Sequence, residues 1–372
     1  MAKLGDIATY INGYAFKPQD WSDEGIPIIR IQDLTGNSYQ ANRYNGEYAS
    51  KYEVNDGDVL ISWSASLGVY IWHGEKAVLN QHIFKVVFDK ERISKDFFVH
   101  QVGLILENAA SDAHGATMKH LTKPIFDALP FYLPPYEKQC EIAEVLDKVT
   151  SLISLRKQQL AKLDELVKAR FVEMFGDPVN NPMNYPKSQL GKVCDVRDGT
   201  HDSPEYYDVG YPLVTSKNVT GGKIDLSECN LISEDDYKKT CERSKVDRGD
   251  IIMPMIGTVG KPVIVNIEPM FAIKNVALIK FTLDSLVTNI YIKTLLESDY
   301  FDRAVLDKIR GGTQKFIALG DIRKLEIILP DLKHQQCFST FVECVDQQKQ
   351  TVQQSLEKLE LMKKALMQEY FG

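Results

Sequence analysis

The sequence predicts an internally duplicated fold in which two globular units are each followed by one long helix. The segment Tyr136–Phe175 contains no Gly or Pro and carries a seam of residues at alternating steps of three and four. This 3.5-residue period is typical of a helix that packs along another helix. The same period returns 196 residues later. Both segments follow a proline step and end in Phe-Gly, where Gly suits a helix C-cap.

The seam positions are predicted to lie between two helices of about 60 Å, at about 1.5 Å per residue, that pack antiparallel. Four of them hold the cations Arg156, Arg170, Lys349 and Lys363. These long side chains are expected to reach outward, and pairing of the two arginines with acidic residues such as Glu360 and Asp346 is the alternative. The apolar seam members are Leu146, Val149, Ile153, Leu160, Leu163 and Val167 in the first helix, and Val342, Val345, Val352, Leu356, Leu359 and Leu366 in the second.

Composition is that of a soluble globular protein with room for two or three domains. The chain has 372 residues, of which 44% are hydrophobic and 26% charged. It contains no run of 18 apolar residues, and its first residues lack the apolar core of a signal peptide. Six cysteines without a Cys-x-x-Cys pair indicate reduced thiols. These features favour a cytoplasmic protein.

The net charge of −7 counts against a chain that is basic throughout, as many nucleic-acid-binding domains are. It leaves open a basic patch on an acidic protein, or DNA that is held mainly by a partner subunit.

The first globular unit alternates strand and helix patterns. Residues 26–31 and 83–88 are β-branched runs typical of strands, and residues 54–61 resemble a turn that leads into a buried strand. Residues 97–110 have helical spacing. Residues 177–187 contain three prolines and three asparagines, a composition typical of a linker.

After the linker the same pattern restarts. LGKV at residues 190–193 repeats LGDI at 4–7, YPLV at 211–214 repeats IPII at 26–29, and GDII at 249–252 repeats GDVL at 57–60. Lys274-Asn275 falls where Gln81-His82 fell. The offset drifts within the globular units and stays fixed along the helices, so matched helices carry two diverged units. The predicted domains are 1–135, 136–176, 177–187, 188–331 and 332–372.

Several motifs resemble the specificity subunit of type I restriction–modification systems. They are SKNV at 216–219, GDI at 249–251, GTVG at 257–260, NQHI at 80–83, DGTH at 198–201, and LPP with EKQ at 133–139. The second copy has Asp331 in place of the second proline, which we interpret as divergence. The resemblance implies two α/β (α+β) recognition domains, separated by an antiparallel pair of long coiled-coil helices with pseudo-twofold symmetry.

The resemblance also implies a function. The family's specificity subunit reads a bipartite target in double-stranded DNA and assembles with two methyltransferase subunits and with restriction (translocase) subunits. It implies no catalytic residue, cofactor or metal in this chain, because S-adenosylmethionine, ATP and Mg²⁺ belong to the partner subunits. No membrane is implied.

The segments that resemble catalytic motifs are incomplete. Leu133 before Pro-Pro-Tyr lacks the polar side chain that an adenine methyltransferase places there. Asp236-Tyr237-Lys238 lacks a further metal-binding carboxylate, and residues 234–236 are expected to form a solvated acidic turn. No Walker motif is present. The alternatives are a nuclease or methyltransferase with a coiled-coil dimer arm, or a scaffold that binds no DNA.

Candidate DNA-binding residues are polar loop side chains, because Arg and Lys suit guanine edges or phosphates, Gln and Asn suit adenine, and Ser and Thr suit either. The repeated Gly-Asp pairs are left out as turn chemistry. The candidates are Lys17, Arg30, Gln32, Ser64, Ser66, Gln81, His82 and Lys119 in the first unit, and Thr200, His201, Ser203, Lys217, Asn218, Thr258, Lys261, Lys274, Asn275 and Lys315 in the second.

Overall fold

A computed structural model describes residues 1–37, 42–112, 122–201, 203–255, 261–305 and 317–372, with the backbone alone at 111 and 112. The chain divides into two compact units. The first comprises Met1–Lys157 and Gln354–Gly372, and the second comprises Gln158–Gln353. Each unit therefore contains one predicted globular region and a part of each long helix. No helix among the described residues is both long and apolar enough to cross a membrane.

The first unit alternates short strands with turns before its long helix begins. Its elements are β1 Ala2–Lys3, α1 Leu4–Ile7, β2 Thr9–Asn12, β3 Ile26–Ile29, α2 Ile31–Leu34, β4 Arg43–Tyr44, β5 Glu53–Val54, β6 Val59–Ser62, β7 Gly68–Ile71, β8 Ala77–Leu79, β9 Ile83–Val87, α3 Lys95–Asp112, α4 Lys123–Asp127, β10 Pro130–Phe131 and α5 Tyr136–Phe175, with 3-10 turns at Pro18–Asp20 and Ser50–Tyr52.

Two sheets form the frame of this unit. The antiparallel sheet has the order β2-β9-β6-β7, and the mixed sheet has the order β4-β3-β8-β5 with β3 and β8 parallel. The larger core lies between the antiparallel sheet and α3, where Phe97 and Phe98 are fully buried. Leu146 of α5 joins this core, and Leu366 and Phe371 pack against it. Both long helical segments of the unit are thus anchored to the same apolar cluster.

The second unit follows the same plan with added elements. They are β11 Lys187–Gln189, α6 Leu190–Val193, β12 Asp195–Asp198, β13 Tyr211–Val214, β14 Val219–Thr220, β15 Lys223–Ile224, β16 Asn230–Ile232, α7 Glu234–Ser244, β17 Ile251–Pro254, β18 Val263–Ile264, β19 Ala272–Ile273, β20 Val276–Lys280, α8 Asn289–Leu296, α9 Asp299–Ala304, α10 Leu319–Lys324, β21 Glu326–Ile328 and α11 Leu332–Phe371, with a 3-10 turn at Ser216–Asn218.

The sheets of the second unit reproduce those of the first, except that the mixed sheet has three strands instead of four. One has the order β12-β20-β17-β18, and the other has the order β16-β13-β19 with β13 and β19 parallel. The two long helices, α5 and α11, are 40 residues each and start 196 positions apart. The repeat in sequence is therefore also a repeat in strand order and helix length.

The units differ at the edge of the mixed sheet. In the first unit β5 pairs with β8 there, whereas in the second α7 packs beside β19, with Tyr237 stacked on Tyr211 at 4.2 Å between ring centroids. The expectation of an acidic turn at residues 234–236 is wrong, because these residues form the first turn of α7. Ser233 caps that helix by accepting a hydrogen bond from the Asp236 backbone N–H at 3.1 Å. The carboxylates there also interact favourably with the helix dipole.

The Gly-Asp pairs are turns, as expected from their repetition. Gly249 has a φ of +94°, a conformation that favours glycine. Asp250 follows it and accepts a hydrogen bond from Lys280 Nζ at 2.6 Å in a nearly buried ion pair. Gly57 and Asp58 repeat the arrangement, with φ +82° at the glycine. These aspartates hold the start of a buried strand.

A buried glutamine fixes the start of α5. Gln139 is 1% exposed, and its Nε2 donates to the Pro134 carbonyl at 2.9 Å. Its Oε1 accepts from the Ser94 backbone N–H at 3.0 Å, just before α3 begins. The glutamine of the EKQ motif therefore links α3 to the long helix.

Gln335 takes the same position at the start of α11. It is fully buried, donates to the carbonyls of Pro330 at 2.8 Å and Leu286 at 3.1 Å, and accepts from the Thr288 backbone N–H at 2.8 Å. Asp331, in place of the second proline, accepts a hydrogen bond from the His334 backbone N–H at 2.9 Å. The structure of this start supports divergence without a change of role.

Every seam position of α5 and α11 is buried or half-buried. In the second unit Leu163, Val345 and Val352 form one apolar cluster. Lys349 contacts Asp164 of the other helix at 2.5 Å, so it bridges the helices instead of reaching into solvent. In the first unit Arg156 donates to Ser355 at 3.3 Å.

Acidic residues near the seam have partners that the sequence did not indicate. Glu360 pairs with Lys157 at 3.0 Å, and Asp346 lies 3.6 Å from Lys349. Arg170 pairs with Glu173 one turn along its own helix, with its guanidinium 5.8 Å from the ring centroid of Phe341. Arg170 therefore agrees with the prediction that the seam cations reach outward, and not with the alternative that it pairs with Glu360 or Asp346.

Candidate nucleic-acid interface

In the second unit, three loops that carry predicted site residues meet at the carboxyl end of the parallel strand pair. Val214 of β13 lies beside Ile273 of β19, where both strands end. Thr200, after β12, forms a parallel bridge with Lys274. Ligands commonly bind where the carboxyl ends of parallel strands leave a sheet. We name Thr200, His201, Ser203, Lys274 and Asn275 the second strand-end cluster.

Side-chain hydrogen bonds join the members of this cluster. Lys274 Nζ donates to Ser203 Oγ at 2.9 Å, and His201 Nδ1 lies 2.8 Å from Asn275 Oδ1. Asn275 has a φ of +56°, a left-handed conformation that Asn adopts more readily than most residues. The turn between β19 and β20 thus depends on Asn275, whose side chain is also turned into the cluster.

An ion network extends the cluster to α7. Asp198 lies 2.9 Å from His201 Nε2 through Oδ2 and accepts a hydrogen bond from Arg243 through Oδ1. Partial burial raises the pKa of Asp198, but the hydrogen bonds from His201 and Arg243 outweigh it and hold the pKa below its usual value. Hydrogen bonds to Asn275 and Asp198 raise the pKa of His201. The network therefore favours the ionised forms of both groups.

A polar cleft of about 530 Å³ opens between the cluster and α7. Sequence reasoning missed two of its cations, Lys239 and Arg243, which stand four residues apart on one face of α7. The sequence signal for them was the i, i+4 spacing, which went unnoticed because residues 234–236 were interpreted as a turn. The cleft is lined by Thr200, Ser203, Pro204, Asp236, Lys239, Thr240, Arg243 and Ser244.

The first unit has a matching edge with different chemistry. Ile29 of β3 lies beside Leu79 of β8, so the loops with Arg30, Gln32 and Gln81 start together. Arg30 Nε and Gln32 Nε2 are enclosed and make no hydrogen bond within the described ranges. Buried polar atoms of this kind usually have a partner.

The connection that follows the second strand of the parallel pair differs in length between the units. It runs from β8 to β9 in the first unit and from β19 to β20 in the second, and it is one residue longer in the first. The Asn80 N–H donates to the Ile29 carbonyl as the Lys274 N–H donates to that of Val214. Three residues, Asn80 to His82, precede β9, whereas Lys274 and Asn275 alone precede β20. His82 and Asn275, just before these strands, both have positive φ. Lys274 therefore matches Asn80, contrary to its predicted match with Gln81. Asn275 shares its positive φ with His82 and its backbone hydrogen bond with Gln81, since the N–H groups of Asn275 and Gln81 donate to the Thr200 and Tyr14 carbonyls.

The remaining candidates differ in their surroundings. Lys17, Ser66, Lys217 and Lys261 are exposed. Ser64 is 6% exposed, which argues against contact with DNA. Asn218 Oδ1 accepts from both the backbone N–H and the hydroxyl of Thr215, so that oxygen stabilises a turn. Lys119, Thr258 and Lys315 lie outside the described residues.

The nuclease interpretation of residues 236–238 finds no support in their geometry. The Asp236 carboxylate accepts from Ser233 Oγ at 2.9 Å, and Lys238 pairs with Glu234 at 2.7 Å along the same helix. Among the described residues, no group of three or more His, Cys, Asp or Glu side chains is arranged to hold a metal ion.

Comparison with known proteins identifies the family. The model of the type I restriction modification DNA specificity domain matches residues 1–165 and 182–361. The chain belongs to this family. With two copies of the domain, it is a specificity subunit of a type I restriction–modification system, and its two domains serve DNA target recognition.

Relatives of this specificity subunit are distant in sequence. The EcoBI specificity subunit of Escherichia coli is 22% identical over 365 residues, covering 89% of this chain and 76% of the relative. The MjaVIII specificity subunit of Methanocaldococcus jannaschii is 24% identical over 391 aligned positions, covering 99% and 90%.

Solved structures share the fold. The S subunit of a type I system from M. genitalium aligns with a TM-score of 0.60 at 12% identity, covering 100% of this chain and 95% of that one. A chain from a study of complex assembly and conformational transition in a type I system aligns with a TM-score of 0.58 at 16% identity, covering 100% and 96%.

Proposed function

We propose that this specificity subunit reads a bipartite target in double-stranded DNA, one half-site through each recognition domain, residues 1–135 and 188–331. The observation that carries the proposal is the pair of matched strand ends. Their backbone framework is repeated, whereas their side chains differ, since Arg30 and Asn80 of the first domain stand where Thr215 and Lys274 stand in the second. A common framework with different polar side chains suits two modules that read different bases.

The charges at the second strand-end cluster support contact with DNA in spite of the net charge of −7. Lys239 and Arg243 line the cleft, and Lys274 stands at its margin through its bond to Ser203. Cations grouped at one edge supply the local attraction for phosphates that the whole chain lacks. In the first domain, the enclosed donors of Arg30 and Gln32 would gain acceptors from DNA after side-chain rotation.

We also propose that catalysis belongs to partner subunits. On this view two methyltransferase subunits bring S-adenosylmethionine, restriction subunits bring ATP and Mg²⁺, and the complex works in the cytoplasm. The family match supports this, since its members provide DNA specificity. The side chains at residues 236–238 are engaged in helix capping and an intrahelical ion pair, as described above.

A groove of about 990 Å³ in the first unit is our candidate surface for a methyltransferase subunit. It runs between the start of α3 and the outer face of α5 and combines apolar Ile93 and Leu152 with Glu144, Asp147 and Lys148. Leu152 is 42% exposed and Leu155 is 57% exposed on the same helix. Apolar helix positions open to solvent beside charged ones suit an amphipathic partner helix.

A domain exchange tests the proposed function. Residues 1–130 are replaced by the first recognition domain of another family member, and the chimera is co-expressed with its methyltransferase subunits. Genome-wide methylation mapping should show a new first half-site beside an unchanged second one. The reciprocal exchange of residues 188–331 serves as the control. A simultaneous change of both half-sites, or methylation without sequence preference, would contradict the modular model.

We further propose that α5 and α11 form an antiparallel coiled-coil pair that sets the spacing between half-sites. Insertion of four residues after Gln158 lengthens α5 by about 6 Å. With base pairs stacked at about 3.4 Å, the spacer should grow by about one to two base pairs. Packing against the unaltered α11 favours the lower value. Methylation mapping measures the spacer, and an active variant with an unchanged spacer or altered half-sites would refute the proposal.

A further inference from the structure

The ring of His201 lies between two groups. The Asp198 carboxylate can only accept a hydrogen bond, whereas the Asn275 amide can donate or accept, depending on its orientation. Its Nε2 is 2.9 Å from Asp198 Oδ2, and a carboxylate with a lowered pKa only accepts, so Nε2 carries a hydrogen. Its Nδ1 is 2.8 Å from Asn275 Oδ1. With the amide in this orientation, Nδ1 must also donate, which requires the imidazolium form of His201.

When His201 loses its Nδ1 proton, the direction of its hydrogen bond with Asn275 has to reverse. Neutral His201 keeps the hydrogen on Nε2 for Asp198 and presents a lone pair at Nδ1. That lone pair accepts a hydrogen bond only if the Asn275 amide rotates by about 180° and turns its NH₂ group inward. Because the two polar atoms of an amide lie on opposite sides of its carbon, whichever atom faces His201 leaves the other for a ligand.

We propose that His201 determines the base preference of Asn275, through a proton that decides whether the Asn275 amide presents a donor or an acceptor to the second half-site. This inference rests on the proposed function, in which the second strand-end cluster meets base edges. It goes further by assigning a specificity-determining role to a pair of residues.

The chemistry of the bases then fixes the direction of the preference. With His201 protonated, the outward NH₂ group of Asn275 selects acceptor edges such as guanine O6 and N7 or thymine O4. With His201 neutral, the outward oxygen selects the donor edges of cytosine N4 or adenine N6. The bidentate adenine contact expected of Asn needs both amide atoms, so the bond to His201 disfavours it.

The surroundings of His201 favour its charged form. Asp198 faces it from the end of β12, and Arg243 of α7 binds the other oxygen of that carboxylate. Hydrogen bonds to Asn275 and Asp198 raise the pKa of His201, and Arg243 opposes them. Lys274, on the turn with Asn275, is directed to Ser203, and Asp202 lies outside the described residues. His201 therefore stays protonated to a higher pH than a free histidine does, and Asn275 presents its NH₂ group outward over that range.

The first experiment needs no DNA. Nuclear magnetic resonance on the full chain follows the ring nitrogens of His201 and the side-chain NH₂ of Asn275 from pH 5 to 9. We expect both to report one titration, and Asp198→Asn to lower its midpoint by about one pH unit because the carboxylate no longer stabilises the imidazolium. In His201→Gln, the Asn275 signal should lose this titration. If the Asn275 NH₂ signal does not change while His201 titrates, the inference is overturned, whatever the result of the DNA experiment.

The second experiment selects bound sequences from a randomised DNA pool, using the chain with its methyltransferase subunits, at pH 6 and pH 8.5. One position of the second half-site should change by about tenfold, from guanine or thymine to cytosine or adenine. His201→Gln should abolish the dependence, and Asp198→Asn should shift it to lower pH, with variant effects confined to the second half-site. Sequence-specific binding with a pH-independent second half-site overturns the inference and leaves the proposed function intact. Binding without sequence preference at either pH contradicts both.

Discussion

The two recognition domains share their sheets and differ in what covers the edge where the parallel strands end. In the first, β5 extends the mixed sheet, with Glu53 paired to Val78. In the second, α7 occupies that side and brings Arg243 to Asp198. The interior of the duplicated fold has kept its strand order, while the elements at the candidate interface have been exchanged outright. A strand replaced by a helix alters the charge and shape of the reading edge without disturbing the core.

The largest effect on stability should come from the buried glutamines. Gln335→Met leaves one N–H and two carbonyls without their partner and should lower the free energy of unfolding of its unit by about 3 kcal/mol. Gln139→Met leaves two such groups and should cost about 2 kcal/mol. Hydrogen exchange resolves the two units and measures both values. Effects no larger than those of surface substitutions would show that the glutamines do not hold the helix starts.

A smaller effect, on DNA affinity, is expected from a substitution in α7, the helix that distinguishes the second domain. Arg243→Ala removes a cation of the cleft and the partner of Asp198, and should weaken binding of the second half-site by about 2 kcal/mol. Lys238→Ala, on the same helix but paired with Glu234, is the matched control and should leave affinity nearly unchanged. Titration of a fluorescent duplex that carries both half-sites measures the two variants. Similar losses for both would indicate a general charge effect instead of a role for α7.

The longer connection before β9 in the first domain offers a finer test. Deletion of Gln81 gives the connection before β9 the two-residue length found before β20. The preference at one base of the first half-site should change by about 1 kcal/mol, because Gln81 stands where the strand-end loops meet. Methylation mapping should show the second half-site unaltered. An unchanged first half-site would remove Gln81 from the reading edge.

The smallest predicted effect is a difference in DNA affinity between substitutions of Ser64 and Ser66. Ser64→Ala should change DNA affinity by less than about 0.5 kcal/mol, since this side chain is buried. Ser66→Ala, at an exposed position, should cost about 1 kcal/mol if the hydroxyl donates to DNA. The same duplex titration compares them. A greater loss for Ser64 than for Ser66 would reverse the assignment of the loop.

Much of the fold could be predicted because its signals are periodic or repeated. The 3.5-residue seam predicted the long helices, and the recurrence of IPII and YPLV predicted equivalent strands at Ile26–Ile29 and Tyr211–Val214. α7 was missed because most of its residues are polar and residues 234–236 were expected to form a turn. Its cap at Ser233 was the available signal.

The candidate interface was predicted as a group more successfully than as single residues. Thr200, His201, Ser203, Lys274 and Asn275 do lie together, because loop residues beside strand ends are placed by the sheet. Burial of Ser64 depends on tertiary contacts that residue type does not encode. The capping role of Asn218 is local, because its partner Thr215 is three residues away, and residue type alone does not distinguish it from a base contact. The link of Arg243 to Asp198 also depends on tertiary structure, since it spans 45 positions of the chain.

The buried glutamines have a consequence for how such proteins diversify. Gln139 and Gln335 bond to backbone N–H and carbonyl groups alone, at Ser94 and Pro134 in one unit and at Leu286, Thr288 and Pro330 in the other. Every residue at these positions has a carbonyl, and every residue except proline has an N–H. These hydrogen bonds therefore do not depend on which side chains an incoming domain carries at the joint. The apolar contacts of Leu146 and Phe371 with the core are the part of the joint that a new domain has to match.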